Sequence, residues 1–147
     1  MRLTTTILAA ALALCVGTGP GSAVDHTIKL LNKDGKGKFM LFEPDFLKVA
    51  PGDTVTFVPV DKGHNAEMIP EVWPAGAAKF KGPFNQEAEL TIDKPGIYAI
   101  RCLPHFTMGM VALIVAGEPT NLDQLKAFQA PGGAKKRLDA LATQVAP

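Results

Sequence analysis

Short runs of apolar and β-branched residues, separated by turn-forming residues, make up most of the chain. Thr54–Val58 alternates apolar with polar side chains, which is typical of a half-buried strand. Ile97–Cys102 is a second predicted strand, and the wholly apolar Met110–Val115 is predicted to lie at the centre of a sheet. Pro51-Gly52-Asp53 and Lys94-Pro95-Gly96 are strong turn signals. Four further runs predict strands over 27–31, 39–42, 46–49 and 87–92. The pattern indicates an all-β sandwich.

The hydrophobic period changes near the end of the chain. Asn121 is a suitable N-cap for a helix over about 121–129, in which apolar residues recur three positions apart. Pro131-Gly132-Gly133 interrupts the pattern, and a second amphipathic helix is predicted over about 134–145. We therefore expect two short C-terminal α-helices after the sandwich.

The first 23 residues have the three parts of a secretory signal peptide. Arg2 supplies the positive charge, an apolar stretch of ten residues runs from Ile7 to Val16, and small residues precede a cleavage point after Ala23. An uncleaved anchor is the alternative, but the apolar stretch is far shorter than the roughly 20 residues that span a bilayer. We expect residues 1–23 to be removed and 24–147 to form one exported domain with no membrane attachment.

Composition narrows the possible functions. The chain has 147 residues, is 47% hydrophobic and 20% charged, and this excludes a disordered protein. Its 15 Lys and Arg nearly balance its 14 Asp and Glu, for a net charge of +1. This is too little positive charge to hold a polyanion, which disfavours nucleic-acid binding. Because Cys15 lies in the predicted signal peptide, Cys102 is left without a disulfide partner in the mature chain. Such a cysteine is a free thiol, an intermolecular bridge or a metal ligand.

Candidate metal ligands lie around this cysteine. Cys102, His105 and Met110 follow the spacing Cys-x2-His-x4-Met in a loop between two predicted strands, and His64 follows the end of another strand. Two imidazoles, a thiolate and a weak thioether are the ligand set of a blue copper site. Thiolate and thioether suit Cu(I), whereas imidazole and an anionic donor suit Cu(II). A rigid site of both kinds therefore suits electron transfer.

Zinc, ordinary core packing and an enzymatic role are the alternatives to a copper site. Zinc also binds Cys and His, but structural zinc takes four strong ligands and Met is not one of them. Taken singly, a cysteine or methionine is more often a core residue, and we expect His26 to be an ordinary solvated side chain. An enzyme is disfavoured, because two of the three histidines are already candidate ligands and the one left cannot build a second copper site. No acid–base or nucleophile constellation is visible either.

At these residues the sequence resembles the cupredoxins, and within them most closely the pseudoazurin family. The segments that carry the resemblance are Phe42–Pro44, Pro51–Phe57, Val60–Asn65, Cys102–Met110 and Asn121–Gln124. The resemblance implies an eight-stranded Greek-key cupredoxin sandwich that binds one type 1 copper ion at one end. It implies that His64, Cys102 and His105 are equatorial ligands and Met110 the axial ligand. Asn65 would hold the ligand loop to the neighbouring strand.

The resemblance also implies a periplasmic one-electron carrier that donates transiently to nitrite reductase in denitrification. A monomer is the default expectation, because the sequence shows no feature of oligomerisation. The alternative is a periplasmic copper carrier or storage protein without a redox role. Pro104 has no N–H, so it would leave the Cys102 sulfur with one hydrogen bond fewer. His105 would lie near the surface beside apolar neighbours, and a basic rim would steer an acidic partner. The expected partner surface consists of Lys62, Lys79, Lys81, Arg101, Pro104, Phe106 and Met108.

Overall fold

The computed structural model describes residues 22–145, so the predicted signal peptide lies outside the described residues except for its last two positions. The described part forms eight strands in two sheets, with strand orders β2-β1-β4-β6 and β3-β8-β7-β5. The pairs β1–β4 and β3–β8 are parallel. The strands are β1 (Asp25–Lys33), β2 (Phe39–Glu43), β3 (Phe46–Val49), β4 (Thr54–Pro59), β5 (Glu67–Met68), β6 (Ala88–Thr91), β7 (Gly96–Arg101) and β8 (Val111–Ala116). This confirms the predicted eight-stranded sandwich.

Strand β8 is buried on both of its faces, as its apolar sequence predicts. Ala112, Ile114 and Ala116 face the core between the two sheets, where they belong to one buried cluster with β4 residues such as Phe57. The alternate residues of β8 belong to a second cluster that includes Leu138. The outer face of this sheet is therefore covered by the C-terminal segment.

Both predicted C-terminal helices are present and shorter than expected. They are α1 (Leu122–Ala127) and α2 (Gly133–Ala142). Asn121 precedes α1, but its side chain does not cap the helix. Instead its Oδ1 accepts the Ile97 N–H at 2.7 Å and its Nδ2 donates to the Ile97 carbonyl at 3.0 Å. The cap prediction is corrected, because the side chain satisfies backbone groups of β7. No helix in residues 22–145 is long and apolar enough to cross a membrane.

Strand β5 was not predicted from the sequence. It contains only Glu67 and Met68, which pair with Arg101 and Ile100 of β7. Two residues are too few to show a period of two, so no pattern could mark them. The strand matters to the site because it attaches the segment after His64 to the strand that leads into Cys102.

Candidate metal centre

The loop between β7 and β8 is closed by its own backbone hydrogen bonds. Cys102 directly follows β7, and a 3₁₀ turn spans Leu103–Met108. The Cys102 N–H donates to the Met110 carbonyl at 3.0 Å, and the Met110 N–H donates to the His105 carbonyl at 3.1 Å. Because a 3₁₀ turn has three residues, it places His105 one turn after Cys102 and on the same side of the loop.

Three of the predicted ligand residues lie together at this end of the sandwich. The Cys102 sulfur is 3.6 Å from His64 Nδ1 and 3.5 Å from His105 Nδ1. One ligand atom from each residue lies within 4.8 Å of the others. His64 and Cys102 are fully buried, whereas His105 is half-buried. Met110 is also fully buried and belongs to the same core cluster as Cys102.

The cluster fits a metal ion. Nitrogen and sulfur ligands bond a metal at about 2.0 and 2.3 Å, so two of them in a trigonal arrangement are separated by roughly 3.7 Å. The observed separations of 3.6 and 3.5 Å agree with this value. Thiolate with two imidazoles and a buried thioether on the same loop is the donor set that suits copper in both oxidation states.

Asn32 orients His64, and the sequence did not reveal this contact. His64 Nε2 donates to Asn32 Oδ1 at 2.9 Å, which leaves Nδ1 unprotonated and directed towards the Cys102 sulfur. Asn32 is itself held by its N–H, which donates to the Asp61 carboxylate at 2.7 Å. The only visible signal was a polar residue at the end of a predicted strand, and a single sequence cannot pair it with a residue 32 positions away.

A second network joins the two segments that carry the ligands. Asn65 Oδ1 accepts the Leu103 N–H at 2.9 Å, and Asn65 Nδ2 donates to Glu67 at 3.2 Å. Glu67 is buried, and its other oxygen receives the Arg101 guanidinium at 2.8 and 2.9 Å. The position of Asn65 is the one that the sequence analysis expected. The buried ion pair behind it was not foreseen.

Burial sets the protonation of the two buried ligand groups. It lowers the pKa of His64, with a smaller contribution from the neighbouring His105, and both effects favour the neutral imidazole. Burial raises the pKa of the Cys102 thiol, and the backbone N–H groups of Asn65 and His105 oppose this effect. Metal binding must therefore displace the thiol proton, and metal affinity rises with pH.

The C-terminal segment packs directly against the ligand loop. A Cβ atom on Gly132 would lie 2.4 Å from the Thr107 carbonyl oxygen. The Arg137 guanidinium donates to the Gly109 carbonyl at 3.0 Å. The Pro131-Gly132-Gly133 run, predicted only as an interruption between helices, is thus the point of contact with the loop.

Most residues predicted for the partner surface are exposed, with two differences from the prediction. Lys62, Lys79 and Lys81 are exposed, as are Pro104 and Met108, the latter 58% exposed. Phe106, by contrast, is buried, and Leu103 is exposed in its place. The reason is that the 3₁₀ turn directs Phe106 into the protein, with the Arg101 guanidinium 5.3 Å from its ring centre.

Arg101 differs from the three lysines because its charge is paired. It is held by the buried Glu67 carboxylate, so it adds little net positive charge to this surface. His26 lies outside the metal cluster, and the expectation of a solvated side chain is corrected. Its Nε2 is 2.9 Å from the buried Asp53 carboxylate.

The fold and the donor set together define a copper-binding protein of the two-sheet sandwich class. The profile of "Copper binding proteins, plastocyanin/azurin family" matches residues 28–117. Pseudoazurin from Paracoccus pantotrophus is 45% identical over 140 residues, which cover 95% of this chain and 96% of that protein. Pseudoazurin from Methylorubrum extorquens is 43% identical over 141 residues, with 95% of both chains covered.

A solved structure agrees with these relatives. The crystal structure of native pseudoazurin from Hyphomicrobium denitrificans superposes with a TM-score of 0.81 at 50% identity, covering 84% of this chain and 99% of that one. The chain therefore belongs to the plastocyanin/azurin family of copper-binding proteins, and within it to the pseudoazurins. Its cofactor is copper, and it belongs to a class of electron carriers.

Proposed function

We propose that this protein is exported to the periplasm, where it binds one copper ion through His64, Cys102, His105 and Met110. As a monomer it carries single electrons to a nitrite reductase. The observation that carries the proposal is the buried sulfur of Cys102 with two imidazole Nδ1 atoms at 3.5 and 3.6 Å. A bound copper ion supplies the redox chemistry.

The protein's own residues restrict how the site can rearrange. His64 is oriented by Asn32, and Asn65 ties the segment after His64 to the loop after Cys102. Ligands that cannot move keep the reorganisation between oxidation states small, and this favours fast transfer. His105 is the one half-buried member of the cluster, so its ring is the route by which an electron reaches the surface.

The surface around His105 fits a transient partner. Leu103, Pro104 and Met108 form a small exposed apolar patch, which we name the docking patch. The exposed Lys62, Lys79 and Lys81 supply the positive charge proposed to surround it. Complementary charge raises the association rate with an acidic partner, and a small apolar contact keeps the complex short-lived.

An optical titration of the chain beginning at Val24 tests the copper site. Addition of Cu(II) should produce an intense visible thiolate-to-copper band that saturates at one copper per chain. Ascorbate should bleach the band and reoxidation should restore it. Cys102→Ser should abolish the band. Met110→Leu should keep it but shift the reduction potential, whereas Met108→Leu is the matched control and should change neither.

The copper carrier or storage function predicts a different result. A protein that only delivers metal binds one oxidation state preferentially, so its copper would be lost during repeated reduction and reoxidation. Full recovery of the band over many cycles excludes this function. Progressive loss of the band would support it against electron transfer.

The partner is tested by the rate of electron transfer to purified nitrite reductase. Lys62→Glu and Lys81→Glu should slow the second-order rate and weaken its dependence on salt. Lys48→Glu is the control, since this exposed lysine is in register with Val115 near the end of β8 opposite the ligand loop. Equal rates for all three variants would rule out the proposed basic rim.

A further inference from the structure

Asp53 is a buried carboxylate at the end of the sandwich where β1 begins. Its side chain is only about 6% exposed. Its Oδ1 accepts the Val24 N–H at 2.9 Å, and its Oδ2 accepts the Ala50 N–H at 2.9 Å. His26 Nε2 is also 2.9 Å from Oδ2. These groups hold the pKa of Asp53 at about 2, with the Ala50 hydrogen bond as the largest cause.

Val24 is held at this carboxylate by its backbone alone. Its carbonyl accepts the Thr54 N–H at 3.0 Å, so hydrogen bonds on both sides of Val24 lead to the segment 53–54. Its side chain is about half exposed, and Ser22 and Ala23 are exposed and precede β1. Asp53 therefore contacts the main-chain nitrogen of Val24, from which it accepts a hydrogen bond.

We propose that Asp53 is the receptor for the amino terminus created when the signal peptide is removed, and that Val24 is that terminus. Water adds across the Ala23–Val24 peptide bond in a reaction catalysed by a signal peptidase. The C–N bond breaks, Ala23 leaves with a carboxylate, and Val24 keeps the nitrogen as a protonated α-amino group. This proposal goes beyond the copper function and rests on the export proposed above.

Cleavage changes the electrostatics at a position that is already organised. Before cleavage the Val24 nitrogen is a neutral amide with one hydrogen. Afterwards it is an ammonium group with a positive charge and three donors, facing a carboxylate that is ionised at neutral pH. Hydrogen bonds between charged partners are about twice as strong as those between neutral ones. Removal of the signal peptide therefore strengthens the attachment of the start of β1 to the turn before β4.

The geometry also distinguishes this cleavage point from its neighbours. Cleavage one residue earlier or later would move the α-amino group by one Cα–Cα step, about 3.8 Å along the chain. At that distance it would no longer occupy the position of the Val24 nitrogen. The charged or titratable groups near the new terminus are Asp53 and His26, together with Asp25, which is exposed at the start of β1.

The first measurement is the intact mass of the protein exported by its native route, which should correspond to a chain beginning at Val24. The second is the titration of its α-amino group by NMR. A carboxylate partner should raise the α-amino pKa by about one unit above its ordinary 7.7–8.0. A mass that begins elsewhere, or an α-amino group that titrates in the ordinary range, overturns the proposal.

A double-mutant cycle isolates the interaction between the Val24 α-amino group and the Asp53 carboxylate. Chains beginning at Val24 and at Ser22 are compared, each with Asp53 and with Asp53→Asn. The shorter chain should have an unfolding equilibrium constant about tenfold smaller, the equivalent of one pKa unit. The difference should vanish with Asp53→Asn and persist with the control Asp25→Asn. If Asp53→Asn does not fold, the NMR titration still decides.

The pH dependence has a defined sign. Because folding raises the α-amino pKa, the added stability is complete below about pH 8 and is lost as pH rises through about 9. Below that range the stability difference between the two chain lengths should stay constant down to neutral pH. The copper band is measured on both lengths. If the Val24 α-amino group does not pair with Asp53 but the copper absorption band is intact, only the terminus proposal fails. If the band is missing, only the copper function fails.

Discussion

The side chain of Asn65 accepts the backbone N–H of Leu103 at 2.9 Å, across 38 positions of sequence. Each of these residues directly follows a proposed copper ligand, His64 in one case and Cys102 in the other. One hydrogen bond therefore sets the spacing between the strand-end histidine and the ligand loop. The Nδ2 of the same Asn65 amide donates to Glu67, which is in turn paired with Arg101.

Replacing Asn65 by Ala should destabilise the protein by about 1–3 kcal/mol, because it removes a buried amide and leaves the part-buried Leu103 N–H without its partner. The free energy of unfolding of the copper-free protein, measured by denaturant titration, checks this. Gln129→Ala removes an exposed amide and should change stability by less than about 0.5 kcal/mol. Equal effects for the two variants would show that the bond across the loop is unimportant.

Pro104→Ala should raise the reduction potential of the copper-loaded protein. Cys102 is the N-cap of the 3₁₀ turn and Pro104 is two residues after it, where a backbone N–H normally points at the N-cap side chain. An alanine supplies that N–H, and a hydrogen bond to the sulfur weakens its donation to Cu(II). Voltammetry measures the shift. Pro83→Ala, at an exposed proline outside the loop, is the control, and an unchanged or lower potential for Pro104→Ala contradicts the argument.

Gly132→Ala should cost about 1–3 kcal/mol of stability. Gly132 has φ 55°, which L side chains rarely adopt, and its new Cβ would lie 2.4 Å from the Thr107 carbonyl oxygen. The ligand loop must move to accept it, so the copper absorption band should also change. Gly35→Ala is the matched control, since no atom lies within 4 Å of the added Cβ and its φ is ordinary.

Tyr98 should ionise about two pH units later in the folded protein than in the unfolded chain. Burial, aided by the nearby Asp93, raises its pKa to about 12, against the opposing hydrogen bond from the Lys94 backbone. Because the folded pKa is raised, the stabilising effect of the neutral phenol is complete below about pH 10 and is lost as pH rises through 12.

The measurement is simple because Tyr98 is the single tyrosine of the chain. Phenolate absorbance should rise near pH 12 in buffer and near pH 10 in concentrated denaturant. Tyr98→Phe should remove the signal in both solvents. A folded protein that titrates near 10 would show that the hydroxyl is accessible to water.

Much of this protein can be predicted from local sequence, because local physics determines it. Short runs of apolar and β-branched residues located seven of the eight strands, and the wholly apolar β8 indicated a central strand. The change of period indicated the two helices. The spacing Cys-x2-His-x4-Met between two strands placed three proposed ligands on one closed loop. Each of these conclusions depends on residues that are close together in the chain.

The tertiary structure decided the contacts between distant segments. It paired Asn32 with His64, Glu67 with Arg101, and Asp53 with Val24. Such pairs carry no periodic signal, since any polar side chain at the end of a strand has the same local pattern. The sequence by itself determined the ligand types and their local spacing. The packing of two sheets and a C-terminal helix determined how those ligands are oriented, because orientation depends on hydrogen bonds between segments that only folding brings together.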